Sequence, residues 1–214
     1  MISADEKRRK FRSGPKLAPE ETIAQIKEVA ADWDYDAVAL GFPSAVRDGK
    51  ILKEPKNLGK GWVDYDFGKA LGKPVRVIND AALQALGSYD GGARTLFLGL
   101  GTGLGSAVAW EGHVLSLELG FLPYINEGIL EDQLGEAGME RIGKKDWRRE
   151  VTRAITQLKI AFIADQVVLG GGNAKLIEEL PEGVILGHNR NAYPGGLRLW
   201  EMQADGKTSK WQIL

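Results

Sequence analysis

The chain has 214 residues, a net charge of −1, 43% apolar and 27% charged residues. That length supports a substantial core, and the near-neutral charge gives no long-range field for nucleic acid or an anionic membrane. There is no cysteine, and His113 and His188 are the two histidines, which excludes disulfides, thiol catalysis, thiolate zinc and a multi-histidine metal site.

No apolar run approaches the ~20 residues of a membrane span, and the first ten residues lack the apolar core of a signal peptide. A cytoplasmic address is expected. Residues 1–19 read as a basic, polar entry ending in Ser13-Gly14-Pro15 and Pro19. Ile23, Ile26, Val29, Ala30 and Trp33 share one face at a 3.6-residue period, which predicts a helix over 20–33. Residues 37–42 are a short apolar run stopped by Pro43, a buried strand. A loop-rich stretch follows over 44–74, with a turn at 57–62 and a short helix at 66–71. Residues 75–78 read as a strand and 80–86 as a helix that Asn79 or Asp80 can cap.

Segments 96–100 and 106–110 form a hairpin-like pair, followed by a turn at 111–113 and a strand at 114–117. Residues 127–145 are charged and glycine-punctuated. Trp147, Val151, Ala154, Ile155, Leu158 and Phe162 mark an amphipathic helix over 146–163. A strand at 166–169 leads through a glycine turn to a helix at 173–180. The last helix falls near 195–201, and 204–214 reads as a loose tail. Strands and helices alternate without internal repeats, which indicates an α/β fold.

Two segments carry candidate chemistry. After the apolar strand at 95–100, Gly101-Thr102-Gly103-Leu104-Gly105-Ser106 forms a glycine loop. Glycines let backbone N–H groups approach phosphate oxygens, and Thr102 and Ser106 could add hydroxyl donors. The plainer reading is a tight hairpin that needs glycine for geometry alone. A dinucleotide fold fits poorly, because a β-like Ala107-Val108-Ala109-Trp110 follows where a helix should open. The second segment is Asn79-Asp80 at the end of a strand, where open α/β sheets bind ligands. Asp80 there could take a proton from a hydroxyl as its oxygen attacks a phosphoryl group; the alternative is a helix N-cap.

Three weaker signals accompany them. Glu118, in Leu117-Glu118-Leu119-Gly120, could accept from two sugar hydroxyls or simply be a surface glutamate. Gly170-Gly171-Gly172-Asn173 is a second strand-to-glycine step whose following helix start would suit phosphate or nucleotide. Lys144, Lys145, Arg148 and Arg149 could line a polyanion path, the plainer reading being a solvated basic helix face.

As an ordered set, these segments resemble the ROK family of sugar kinases in the actin/hexokinase superfamily, most closely its polyphosphate-glucokinase-like branch, over residues 7–201. The resemblance implies a two-lobed ribonuclease-H-like fold with a cleft between an N-terminal lobe (1–94) and a C-terminal lobe (95–201), followed by a tail (202–214). It implies Asp80 as catalytic base and Asn57, Asn79, Asp80 and Glu118 as sugar contacts. Gly101, Thr102, Gly103 and Gly105 would bind phosphate, and Gly170, Gly171, Gly172 and Asn173 the nucleotide side. It implies transfer of a phosphoryl group from ATP or polyphosphate, with Mg²⁺, to a hexose, glucose first. It implies no nucleic-acid or membrane partner and is compatible with a homodimer. The alternative is a non-catalytic sugar- or nucleotide-binding relative.

Three departures from the family pattern stand out. The family's Glu-x-Gly-His ends here in Phe121, which removes a hydrogen-bonding group facing the sugar. The cysteine-rich zinc segment of many members is absent, so no zinc is expected. The Asp-x-Gly-Gly-Thr phosphate loop on a first hairpin is also absent, and the chain aligns from the family's third strand, near residues 9–12. A misplaced start or a shortened chain is the expected reason, with open strand edges, marginal stability and weak activity as its consequences.

Overall fold

The computed structural model describes residues 8–124 and 128–214; the first part of the basic entry and the beginning of the charged segment lie outside them. Helix α1 (Pro19–Val29) begins with proline, whose missing N–H is not needed there, and places Glu20 and Glu21 in its first turn and Lys27 in its last, as the helix dipole favours. It stops short of the expected Trp33, whose ring instead lies 4.9 Å from the Arg9 guanidinium. Residues 9–14 adopt neither helix nor strand, so the third-strand assignment near 9–12 is corrected.

Strands β1 (Val38–Phe42) and β4 (Val75–Asn79) pair in parallel, with Phe42 opposite Asn79. Between them the loop-rich stretch holds an unforeseen hairpin, β2 (Val46–Arg47) and β3 (Lys50–Ile51), turned by Asp48 and Gly49 at positive φ; Asp-Gly is a favoured dipeptide for this turn. Helix α2 (Phe67–Leu71) is capped by the Asp66 carboxylate and closed by Gly72 in the left-handed region. Phe42, Trp62 and Phe67 centre the small N-terminal core, with ring centroids 5.1–6.4 Å apart.

Helix α3 (Asp80–Ser88) leaves β4 without a connecting residue. The larger sheet comprises β5 (Thr95–Leu100), β6 (Leu104–Trp110), β7 (His113–Leu117), β8 (Gln166–Gly170), β9 (Val184–Leu186) and β10 (Gln212–Ile213), in the order β10-β7-β6-β5-β8-β9. Alternation along β5 divides its residues between two cores. Leu96, Leu98 and Leu100 join Trp147, Val151 and Ile155 of α6 (Lys144–Ala161), while Phe97 joins α3 on the opposite face.

The expected helix at 173–180 is replaced by a single 3-10 turn, Ala174–Leu176. Ile177 is extended and buried in the core, and Pro181 then blocks helical continuation. The charged segment folds into two short helices, α4 (Leu130–Leu134) and α5 (Glu136–Ile142), and the last helix, α7 (Ala192–Arg198), starts earlier than expected. The C-terminal stretch is not loose: Gln212 and Ile213 pair with β7, and Trp211 packs edge-on against Tyr89.

Candidate active site

Asn79 settles which residue caps α3. Its Oδ1 accepts from the N–H groups of Ala81 (2.9 Å) and Ala82 (3.3 Å), while its Nδ2 donates to the Ser44 carbonyl (3.1 Å). Most of its hydrogen-bonding capacity is therefore spent on architecture. Asp80 is the first residue of the helix rather than its cap, and its carboxyl is left for other work. It is accessible to solvent, yet protein packed around the carboxyl raises its pKa above the ordinary aspartate value. The Ala81 and Asp80 N–H groups oppose that shift, and the negative charge of Glu118 adds to it. Desolvation of this kind favours the form that holds a proton.

Strand β6 links the two carboxylates: Gly105 packs against Ala81, beside Asp80, and the adjacent Ser106 binds both neighbours of Glu118. Glu118 also has a raised pKa, from burial first; Lys53 pulls it down, Glu131 pushes it up and Lys56 pulls it down. Glu118 lies between β7 and a 3-10 turn, Leu119–Phe121. Ser106, expected as a phosphate donor, fixes this junction instead. Its buried hydroxyl donates to Leu117 O (2.9 Å) and accepts from Leu119 N–H (3.1 Å), the two residues that flank Glu118.

Lys53, Lys56 and Glu131 complete the cluster. Lys56 Nζ lies 2.8 Å from Glu131 Oε1, and Glu131 Oε2 accepts from Leu104 N–H at 3.2 Å. Glu131 thus joins the turn before Asn57 to the mouth of the glycine loop. The Phe121 ring, 51% exposed, lies 5.7 Å from Lys53 Nζ and 5.5 Å from Lys56 Nζ. The position where the family pattern has histidine is therefore a cation-binding face here. Asn57 is exposed beside Lys56, and its side chain makes no hydrogen bond among the described residues. Neither Lys53 nor Glu131 carried a signal in the sequence, because each acquires its meaning from partners distant along the chain.

The glycine loop joins β5 to β6. Gly101 faces open space and Thr102 is exposed. Gly103 is held against Glu131, where an added Cβ would lie 2.4 Å from Oε2. Gly105 lies within β6 and passes close to the first turn of α3: a Cβ there would come 3.2 Å from the Ala81 Cβ. This glycine serves as the contact between the loop and the Asp80 turn.

The second glycine turn packs on the same end of the sheet. Asn173 donates from its backbone to Leu100 O (3.0 Å) and from Nδ2 to Gly101 O (3.5 Å). Gly171 has φ +84°, and a Cβ would fall 2.2 Å from Leu100 O; one on Gly170 would enter the Phe97 ring at 2.4 Å. Gly172 alone of the three opens to free space. With a single 3-10 turn after Asn173, the expected helix dipole for a nucleotide phosphate is absent from this step. The two glycine turns nonetheless form one continuous wall, and the carboxylate–lysine cluster stands beside it.

The ROK family model matches residues 2–126, more than half of the chain, and the chain belongs to the ROK family. It is 26% identical over 171 residues to a polyphosphate glucokinase of Mycobacterium leprae, covering 73% of this chain and 51% of that protein. It is 29% identical over 147 residues to a bifunctional enzyme NanE/NanK of Brucella melitensis, covering 63% of this chain and 28% of that protein. The chain thus spans about half or less of the length of these curated relatives.

Among solved structures, an inorganic polyphosphate/ATP-glucomannokinase from Arthrobacter superposes with a TM-score of 0.68 at 24% identity, over 83% of this chain and 81% of that one. A ROK family glucokinase from Streptomyces griseus, in complex with glucose and AMPPNP, superposes with a TM-score of 0.64 at 17% identity, over 87% and 90%. These likenesses establish the actin/hexokinase-type, ribonuclease-H-like fold.

Proposed function

We propose that this protein is a sugar kinase that transfers a phosphoryl group from ATP or polyphosphate to a hexose, with glucose the first candidate. The observation that carries the reading is Asp80: a carboxyl not used as the helix cap, with a pKa raised by burial and further by Glu118, and next to Ala81, against which Gly105 packs. The relatives are sugar kinases and glucokinases by name, which supports the same class.

In this reading Asp80 accepts the hydroxyl proton as the sugar oxygen forms its bond to the terminal phosphorus and the bond to the leaving phosphate oxygen breaks. A carboxyl whose pKa is raised above the ordinary aspartate value is, once ionised, a stronger base. Glu118 and Glu131 accept from other sugar hydroxyls and fix the ring. The N–H groups of Thr102 and Gly103 and the Thr102 hydroxyl bind the phosphoryl oxygens, while the Gly101 N–H closes the loop on Gly103 O at 3.1 Å, in keeping with a transfer that depends on positioning and charge stabilisation.

Mg²⁺ fits this donor set. No group of three or more His, Cys, Asp or Glu side chains that could hold a metal occurs among the described residues; Mg²⁺ is commonly held by substrate phosphates, water and only one or two carboxylates. Arriving with the donor, it would neutralise phosphate charge while Asp80 stays free to accept the proton.

The test is direct. The purified chain is incubated with glucose and other hexoses, with ATP or polyphosphate as donor, and sugar phosphate is measured. Transfer to at least one hexose, lost in Asp80→Asn, is the expected result. Calorimetric binding of glucose without transfer from either donor would instead establish the non-catalytic reading.

A further inference from the structure

The first two turns of α6 carry Lys144, Lys145, Arg148 and Arg149 against two acids, Asp146 and Glu150, and Glu150 is engaged by Arg153 and the Tyr124 hydroxyl rather than by the strip. This placement is unfavourable for the helix itself: the N-terminal end of a helix dipole favours acidic side chains and disfavours cations. Few compensating interactions account for it. Arg148 pairs with Glu178 at 2.8 Å and Arg149 with Asp146 at 3.1 Å, while Lys144 and Lys145 are exposed and form no ion pair among the described residues. The Arg148 Nε is buried without a partner.

The location of this strip is as informative as its charge. Between its two cation pairs, Trp147 inserts its indole into the core and donates Nε1–H to Leu134 O at 2.9 Å. The next residue, Gly135, lies so close to the glycine loop that a Cβ would come 2.8 Å from Thr102 O, and Glu136 N–H donates to Gly101 O at 3.0 Å. On its other flank, Arg148 reaches Glu178, shortly beyond the Asn173 that bonds to Leu100 and Gly101. The basic strip is therefore fastened, on both sides, to segments that touch the phosphate loop. Its two lysines and Arg149 remain on the surface.

We propose that this strip is a binding site for the distal phosphates of an inorganic polyphosphate chain whose end lies at Gly101–Gly103. The inference rests on the kinase reading for what the chain end does there, but its charge and placement stand independently. A flexible polyanion suits a row of exposed cations that lead away from a loop of main-chain donors. Neutralising successive phosphates releases counterions and makes affinity depend on both chain length and salt. A nucleotide triphosphate is too short to use the whole strip and would gain little from it.

The experiment measures binding without sugar, by calorimetry, of tripolyphosphate and of a polyphosphate several tens of phosphates long. The parent should bind the long chain more tightly per chain end. In Lys144→Ala/Lys145→Ala/Arg149→Ala that preference should fall by about tenfold. The slope of log affinity against log salt should also flatten by roughly two, at ~0.7 for each phosphate of a single-stranded polyanion that is no longer neutralised. Tripolyphosphate affinity should change far less. Glu178→Gln, which frees the Arg148 guanidinium, should tighten long-chain binding, and Lys27→Ala/Lys207→Ala, on other elements, should leave the preference in place.

A parent with no preference for the long chain would overturn the proposal, as would a triple variant that binds it as tightly as the parent or weakens equally toward both ligands. Melting curves of the variants establish that they are folded; if the triple variant were not, the Glu178→Gln result would decide. Long-chain binding through the strip with no hexose phosphorylated would sink the kinase reading and leave the site standing.

Discussion

The two halves of the candidate site are built by opposite means. On one side Asp80, Glu118, Glu131, Lys53 and Lys56 act through charge: burial first, then the charge of Glu118 on Asp80 and of Glu131 on Glu118, hold the Asp80 and Glu118 pKa values up. On the other side the turns at 101–103 and 170–173 act through the main chain, with glycines that are open to a ligand at 101 and 172 but jammed against β5 at 170 and 171. A charged side chain can be exchanged with little effect on the backbone, whereas a glycine that holds two strands together cannot. The difference teaches that glycines of similar appearance have different jobs, and that substitutions on the two sides should separate chemistry from folding.

The largest effect should come from the occluded turn. Gly171→Ala adds a Cβ 2.2 Å from Leu100 O at φ +84°, which combines overpacking with left-handed strain at about 2–4 kcal/mol. Thermal unfolding should show a loss of roughly 4–16 °C. Gly101→Ala, at a position with open space, should leave the melting temperature within about 2 °C of the parent while weakening donor binding. Equal destabilisation by the two changes would erase the distinction between an occluded and an open turn.

On the carboxylate side, Asp80→Asn should keep the fold and lose at least ~10²-fold in turnover with the cognate hexose. Near-parental turnover would remove Asp80 as the base. The pH dependence has a definite sign. A folded pKa raised above the unfolded value gives stability that is present below the unfolded pKa and is lost as pH rises through the folded pKa. Ionised Asp80 therefore costs stability above its raised folded pKa, and there Asp80→Asn should melt higher than the parent, with the gap closing as pH falls through that value toward the unfolded one. For the same reason the acid limb of the turnover profile should lie above the ordinary aspartate range.

Ser106→Ala sharpens the comparison from a third direction, because it perturbs a charged group only through the backbone. It leaves Leu117 O and Leu119 N–H without their shared partner, at about 1–3 kcal/mol. Sugar affinity should weaken through misplacement of Glu118, whereas donor affinity should hold. Rescue of sugar binding by Ser106→Thr, which restores the hydroxyl, would separate positioning from general loss of packing.

The smallest effect is expected at Lys56. Its ion pair with Glu131 is exposed on the lysine side, so Lys56→Ala should cost no more than ~1 kcal/mol in stability. It also removes one of the two cations that lower the Glu118 pKa and face Phe121, so the Glu118 titration should move upward. A titration by NMR that leaves Glu118 unmoved would show that the lysine and this carboxylate do not share a site.

Much of this was legible along the chain, because short-range rules govern it. The 3.6-residue apolar period located α6, apolar runs of strand length located β1, β4, β5 and β8, and the strand-to-Asp and strand-to-glycine steps located Asp80 and the loop at 101–103. Other elements depended on interactions that no local rule reports. Burial of an extended Ile177 in the core replaces the helix that the composition of 173–180 suggests, and the edge of β7 captures a polar tail as β10.

The site divides in the same way. Sequence by itself determined the residue types and the order in which strands deliver them: a carboxylate at the end of β4, glycines after β5 and β8, a glutamate after β7. Only the tertiary structure decided that Asn79 takes the cap and releases Asp80, that Ser106 serves Glu118 rather than phosphate, and that Lys53, Lys56 and Glu131 belong to the cluster at all. The reason is physical. Capping, burial and Coulomb coupling act through space at a few ångströms, and Lys56 and Glu131, 75 residues apart in the chain, meet only when the fold has closed.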